Sequence, residues 1–139
     1  MFDSLKIQVF PEVNGVVTMN SEPVEGALVK LVYNYNHKDN VIETKTDESG
    51  EFHFNEKYVH TLRLLLPFET SIDQQIIINY NHNTYVAWRT TKFAHGNDTA
   101  ISRKLSFLNC ELTNEEKRQL INPASPVKTS VYSLARWKN

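Results

Sequence analysis

The run from Val13 to Phe54 decides the architecture: V-N-G-V-V-T-M-N-S-E-P-V-E-G-A-L-V-K-L-V-Y (Val13–Tyr33), and after a polar interval T-K-T-D-E-S-G-E-F-H-F (Thr44–Phe54). Three of the chain's four glycines, Gly15, Gly26 and Gly50, fall inside it, and alternating apolar residues lie between them. Ala27, Val29, Leu31 and Tyr33 share one face of an extended strand, with Leu28, Lys30, Val32 and Asn34 on the other. Phe52 and Phe54 likewise share a face while His53 points the opposite way. The glycines read as turns between strands, and the period of two predicts an antiparallel β-domain.

Outward from this core, Lys6–Phe10 predicts a first strand that Pro11 ends, and Val13–Met19 the next, before a turn at Asn20–Pro23. Asn34–Asn40 is polar and predicts an exposed loop. Val41–Thr46 and Glu51–Phe54 are expected to pair as a hairpin across Asp47–Gly50, where Asp47 can accept backbone N–H groups and Gly50 tolerates positive φ. A buried strand is expected over Val59–Leu66. Asp73–Tyr80 and Thr84–Thr91 form a second predicted hairpin, joined at Asn81-His82-Asn83. Its alternation groups Ile76, Ile78 and Tyr80 on one face, and sets Val86 and Trp88 against Tyr85, Ala87 and Arg89. Leu105–Leu112 reads as a strand, and Thr113-Asn114-Glu115-Glu116 as a capping box opening a short helix to Ile121.

The sum is an all-β, antiparallel sandwich of about seven or eight strands with one short C-terminal helix. Residues 1–112 make the sandwich, and residues 113–139 a short helix and extension packed on the same domain. A chain of 139 residues buries enough surface for a core without disulfides.

The order of turns and strands also resembles a known family. G-x-V, then N-S-E-P-V-E-G-A-L-V-K-L, then T-D-E-S-G-E-F-H-F is similar to the carboxypeptidase regulatory-like modules of the transthyretin-like sandwich class, with Gly15, Pro23, Gly26, Ala27, Val29, Asp47, Gly50 and Phe52 at matching positions. F-P-E-V-N-G (Phe10–Gly15) and Y-V-A-W (Tyr85–Trp88) resemble a subgroup of small bacterial proteins of that class. The resemblance implies a sandwich serving as a scaffold or binding unit. The class includes a hydrolase of 5-hydroxyisourate that carries paired histidines, an arginine and a tyrosine-arginine-glycine-serine-type tail. Ser133–Asn139, S-L-A-R-W-K-N, departs from that tail.

Composition narrows the function classes. Fifteen basic and sixteen acidic residues give a formal charge of −1, which provides no bulk attraction for nucleic acid. Cys110 is the sole cysteine, so an internal disulfide is excluded. No apolar run reaches membrane-spanning length, and the N-terminus lacks a signal-peptide pattern, so a cytoplasmic protein is expected. His37, His53, His60, His82 and His95 show no metal-site spacing, and glycine-rich phosphate loops and nucleophile elbows are missing. No cofactor and no catalytic residue is expected. A hydrolase would need a pocket gathering at least two of His53, His60, His82, Arg63 and Arg89.

What remains is a set of aromatic and arginine side chains of the types enriched at interfaces: Tyr33, Tyr35, Trp88, Arg89, Tyr132, Arg136 and Trp137. Trp88 has a competing place in the core, because large aromatics bury most of their area. Trp137, beside Arg136 and Lys138, is the stronger surface candidate. The reading is a non-enzymatic protein-binding module. Its concrete form is an immunity or adaptor protein that occludes a secreted antibacterial toxin or a secretion-system component. An envelope or pilus-associated structural module and a small transthyretin-like hydrolase are the alternatives.

Overall fold

Two-residue turns set the register of the larger sheet. A computed structural model describes residues 6–35, 37–60, 71–93, 99–120 and 130–136. In chain order the elements are β1 (Lys6–Phe10), β2 (Val13–Met19), β3 (Glu22–Pro23), β4 (Leu28–Tyr35), β5 (Lys38–Lys45), β6 (Glu51–Phe54) and β7 (Lys57–His60). There follow β8 (Ser71–Tyr80), β9 (Asn83–Phe93), α1 (Thr99–Leu105), β10 (Leu108–Glu111), β11 (Lys117–Leu120) and β12 (Ser130–Ser133). Tyr80 pairs with Asn83 across Asn81 and His82, whose φ values of 51° and 65° suit a turn that matches the right-handed strand twist.

The chain is an all-β, mostly antiparallel sandwich with one short helix. A six-stranded sheet runs β11-β12-β9-β8-β4-β5. The facing layer is built on β2, which pairs parallel with β10 and antiparallel with β6 and β3, and it includes the β1-β7 ribbon. Val29, Leu31, Tyr33, Ile72, Ile76, Ile78 and Trp88 from the large sheet share one buried cluster with Ile7, Val9, Val13, Val17, Phe52, Phe54, Leu108 and Cys110. Each fully buried aliphatic side chain there contributes roughly 1.5–3 kcal/mol.

Two polar side chains tie the layers together. Gln74, fully buried on β8, donates to the Val9 carbonyl at 2.7 Å and accepts from the Trp88 indole N–H at 3.3 Å. Lys92 Nζ donates to the Gln8 carbonyl at 2.8 Å. Both carbonyls lie where the β1-β7 register shifts between Gln8 and Phe10, a bulge that leaves ladder groups unpaired. Side chains from the opposite sheet satisfy them.

Several expectations are corrected. There are twelve strands among the described residues rather than seven or eight. The polar stretch Asn34–Asn40 is no loop: Tyr35 pairs with Lys38, so β4 and β5 form a tight hairpin, with His37 at φ 60°. The Asp47–Gly50 turn closes as its chemistry requires, with Asp47 Oδ1 accepting from the Ser49 and Glu51 N–H groups, both at 2.9 Å. It joins the two layers instead of a hairpin. β5 pairs with β4 and β6 with β2, because Val17 N–H takes the Gly50 carbonyl at 2.8 Å and draws the turn onto β2.

Leu105 ends α1 rather than beginning a strand, and β10 is confined to Leu108–Glu111. The C-terminal helix from Thr113 does not form. Thr113 spends both its N–H and its hydroxyl on Glu111, and Lys117–Leu120 pairs with β12. The helix lies instead at Thr99–Leu105. Alternation in β9 breaks at Ala87, an extra residue between the pairs Ile77–Val86 and Ile76–Trp88. Tyr85 and Trp88 therefore pack inward and Val86 outward. Of the strand expected over Val59–Leu66, the described part belongs to β7, and residues 61–70 lie outside the described residues.

Gly15 corrects a further expectation, since it sits inside β2 and not at a turn. A Cβ there would lie 2.5 Å from Phe52 Cζ and 2.8 Å from the Leu108 carbonyl oxygen. The second neighbour is backbone and cannot swing aside. Gly15→Ala is expected to destabilise the fold by about 1–3 kcal/mol through overpacking, measured as a shift in the midpoint of urea unfolding with an unchanged slope.

Candidate functional site

The pleat of the large sheet sorts its side chains into a buried inner face and an outer face. Cross-strand register aligns Arg118, Tyr132, Arg89, Gln75, Val32 and Val41 in one row of that outer face. The neighbouring row carries Val86, Ile77, Lys30 and Glu43. At the centre of the first row the Arg89 guanidinium stacks over the Tyr132 ring, 3.9 Å from its centroid. It also makes a bidentate pair with Glu116, Nε to Oε2 and Nη2 to Oε1, each 2.9 Å. Hydrogen bonding to Glu116 pushes the Arg89 pKa above its already high ordinary value, so the group stays cationic. Val41, 53% exposed, and Leu120, 42% exposed, lie at the two ends of this face.

The sequence-nominated residues divide. Arg89 and Tyr132 meet on the outer face. Trp88 is fully buried and Tyr33 is 5% exposed; both point into the core, where burial raises the Tyr33 phenol's pKa, and they are corrected to core residues. The Ala87 bulge is what turns Trp88 inward. Tyr35 packs partly buried against the core. Arg136 is consumed internally: Nη1 donates to the Ser133, Leu134 and Ala135 carbonyls and Nη2 to that of Glu115 at 2.7 Å. Trp137 lies outside the described residues.

A second feature is a shallow groove of about 480 Å³ where the β5 end of the large sheet meets β2 and β6. Asn14, Thr44, Lys45, Glu51, His53 and Phe107 line it, and Phe107 is 58% exposed. His53 Nδ1 lies 2.6 Å from Asn14 Oδ1 and Nε2 3.0 Å from Asn55 Oδ1, with Glu12 3.7 Å from Nε2. The ring is held in place from both sides. Of the described members of the set a hydrolase would gather, only His53 lines this groove. His82 sits in the β8-β9 turn, His60 ends β7, Arg89 is paired with Glu116, and Arg63 lies outside the described residues. Among the described residues no three His, Cys, Asp or Glu side chains are placed to share a metal ion, and no helix is long and apolar enough to cross a membrane.

Glu111, which no sequence motif singled out, is the most heavily bonded carboxylate described. It accepts from the Thr18 hydroxyl (3.1 Å), the Asn20 N–H (3.0 Å), the Ser21 N–H (2.7 Å), the Thr113 N–H (3.0 Å) and the Thr113 hydroxyl (2.7 Å). Asn20 and Ser21 have φ of 53° and 66°, so Glu111 pins the strained β2-β3 turn to β10. Desolvation is the largest single influence on its carboxyl and acts upward. The bonds from Thr113, Ser21 and Asn20 together outweigh it and hold the pKa at about 2. Cys110 next to it is fully buried, which pushes its thiol up to about 12.

The model of the family described as Domain of unknown function (DUF6795) matches residues 13–115. That span runs from β2 past β10 and leaves β1, β11 and β12 outside. No curated protein matches the chain significantly.

Two outcomes follow. Glu111→Gln is expected to cost roughly 1–2 kcal/mol at pH 7, after allowance for solvent screening. The folded pKa lies below the ordinary 4.5, so the ionised group's contribution is present above that value and disappears as pH falls through about 2. Urea unfolding of both proteins between pH 7 and pH 2 should show the gap closing over that window. Cys110 should resist a thiol-specific reagent at pH 8 in the folded protein and react promptly once urea unfolds it.

Proposed function

The chain belongs to the DUF6795 family, and from that premise we propose that it is a non-enzymatic protein-binding module whose contact surface is the outer face of the large sheet. The observation that carries the reading is the Arg89–Tyr132–Glu116 cluster. It places a stacked, bidentately held arginine and a tyrosine on a sheet face that also carries Val32, Val41, Ile77 and Val86. Arginine and tyrosine dominate interface energetics when flanked by apolar contacts that exclude water. Antiparallel sheets with one face packed on the core leave the other face available for such contacts.

In concrete form the proposal is an immunity or adaptor protein acting in the bacterial cytoplasm. It would neutralise a secreted toxin, or hold a secretion-system component, by laying this face over the partner's functional surface. The mechanism is occlusion and requires no bond chemistry from this chain.

Truncating the C-terminal residues is a poor test, because β12 lies between β11 and β9 and contributes the buried Val131 and Ser133. Point variants serve better. Affinity capture from the native lysate with intact protein should retain a stoichiometric partner. Arg89→Ala and Tyr132→Ala should each weaken that partner's binding about tenfold or more, while His82→Ala in the distant β8-β9 turn leaves it unchanged. Equal retention by all four baits would remove the outer face from the proposal. Failure of the wild type to retain any partner would overturn the binding reading itself.

A further inference from the structure

The large sheet ends at β5, and the backbone there has a defined polarity. Thr46 donates its N–H to the Ala27 carbonyl at 3.0 Å and accepts from Gly26 N–H at 3.1 Å, so even-numbered residues of this segment face β4. Strand alternation then turns the N–H and C=O groups of Asp39, Val41, Glu43 and Lys45 toward the open edge. Among the described residues no strand pairs with that edge. The strand is eight residues long, and an open edge of this length is a template for another strand.

The side chains on β5 select what that strand can be. In an antiparallel pair, edge-facing residues oppose edge-facing residues, so a second copy of β5 can dock only in registers that step by two. With the two-fold axis at Val41, Asp39 faces the partner's Glu43 twice, and with the axis at Glu43 two glutamates meet. Like charges directly opposed destabilise a sheet. Axes at Asn40 or Thr44 shorten the paired stretch. With the axis at Ile42, the strand overlaps from Asp39 to Lys45. Asp39 then opposes the partner's Lys45, Lys45 opposes the partner's Asp39, and both ion pairs fall on the outer face.

The inner face fits the same register. Asn40 meets the partner's Thr44, and the two Ile42 side chains meet at the axis. Ile42 is only partly buried at the rim of the core, and its symmetry mate would cover it. Asp39 is already held on the outer face by Asn34 Nδ2 at 2.9 Å, which lowers the entropy cost of the pair.

We propose that two copies of this chain associate through β5 about a two-fold axis at Ile42, joining their six-stranded sheets into one. The interface is isologous, so each substitution acts twice. The two outer faces would lie on the same side of the joined sheet. The inference rests on the polarity and charge order of β5, and stands or falls independently of the partner reading.

A charge swap tests it. Sedimentation equilibrium of the full chain over a range of concentrations should show a monomer–dimer equilibrium. Asp39→Lys and Lys45→Asp should each raise the dimer dissociation constant about tenfold or more. The double variant Asp39→Lys/Lys45→Asp should return it to within a few-fold of wild type, since opposite charges again face one another. Circular dichroism and thermal midpoints of the variants verify folding. A wild type that stays monomeric at every concentration would overturn the proposal. So would a dimer indifferent to the single reversals, or a double variant as weak as either single one.

Discussion

A Cβ at position 15 would have to displace its neighbours, and the close approach that Gly15 allows shapes the smaller layer. Strand β2 takes β6 along one side and β10 along the other, with Gly15 opposite Phe52 and Leu108. The Phe52 ring fills the space above the glycine and meets Phe54 edge-on, centroids 6.1 Å apart at 67°. A larger residue would push Phe52 off β2 or force β10 outward. Because β10 runs parallel to β2, the chain must return across the fold before it can pair, and α1, anchored by buried Ile101 and Leu105, lies on that return. Glu111 then fastens the far end of β10 to the β2-β3 turn.

The bulges have a comparable logic. At β1 the irregular register leaves the Gln8 and Val9 carbonyls facing the interior, where unpaired acceptors would cost about 1–3 kcal/mol each. Lys92 and Gln74 reach across from the large sheet to fill them. At β9 the Ala87 carbonyl accepts from the Ser133 hydroxyl at 2.6 Å and from Leu134 N–H at 3.1 Å. The first bulge joins the layers, and the second receives the C-terminal strand. Polar residues at these inward positions specify which segments meet, whereas apolar residues would permit several packings.

Local chemistry was legible in the sequence, and partner choice was not. The period of two from Ala27 to Tyr33, the positive-φ glycines at 26 and 50, and the Asn81-His82 turn all follow from steric preferences within a few residues. Whether Val41–Thr46 pairs with the strand after it or before it depends on which backbone groups elsewhere compete for it, and β4 wins along its full length. Thr113–Glu116 has the composition of a helix start, yet Glu111, two residues upstream, offers Thr113 a better acceptor. Alternation in β9 groups Trp88 with Val86 and apart from Tyr85, and the Ala87 bulge reverses that grouping because it adds a residue without a mark in composition. The outer-face cluster was half visible. Arg89 and Tyr132 are residue types that bind, but Glu116 joins them only through the β9-β12-β11 pairing, which no local pattern encodes.

Under the proposed reading, that cluster serves recognition more than stability. An exposed ion pair contributes at most about 1 kcal/mol to folding, so Arg89 and Glu116 add little to the sheet beneath them. Their value lies in fixing the guanidinium plane over Tyr132, which removes in advance much of the rotamer entropy a partner's docking would otherwise cost. The pairing also leaves the cation partly neutralised, so covering it requires less desolvation than burying a free arginine. With a net charge of −1 the chain offers a partner little net long-range attraction. Under the proposed binding reading, association would depend on short-range complementarity, and a held arginine–tyrosine pair on a face that also carries the half-buried Val32 and Val86 is the kind of surface that supplies it.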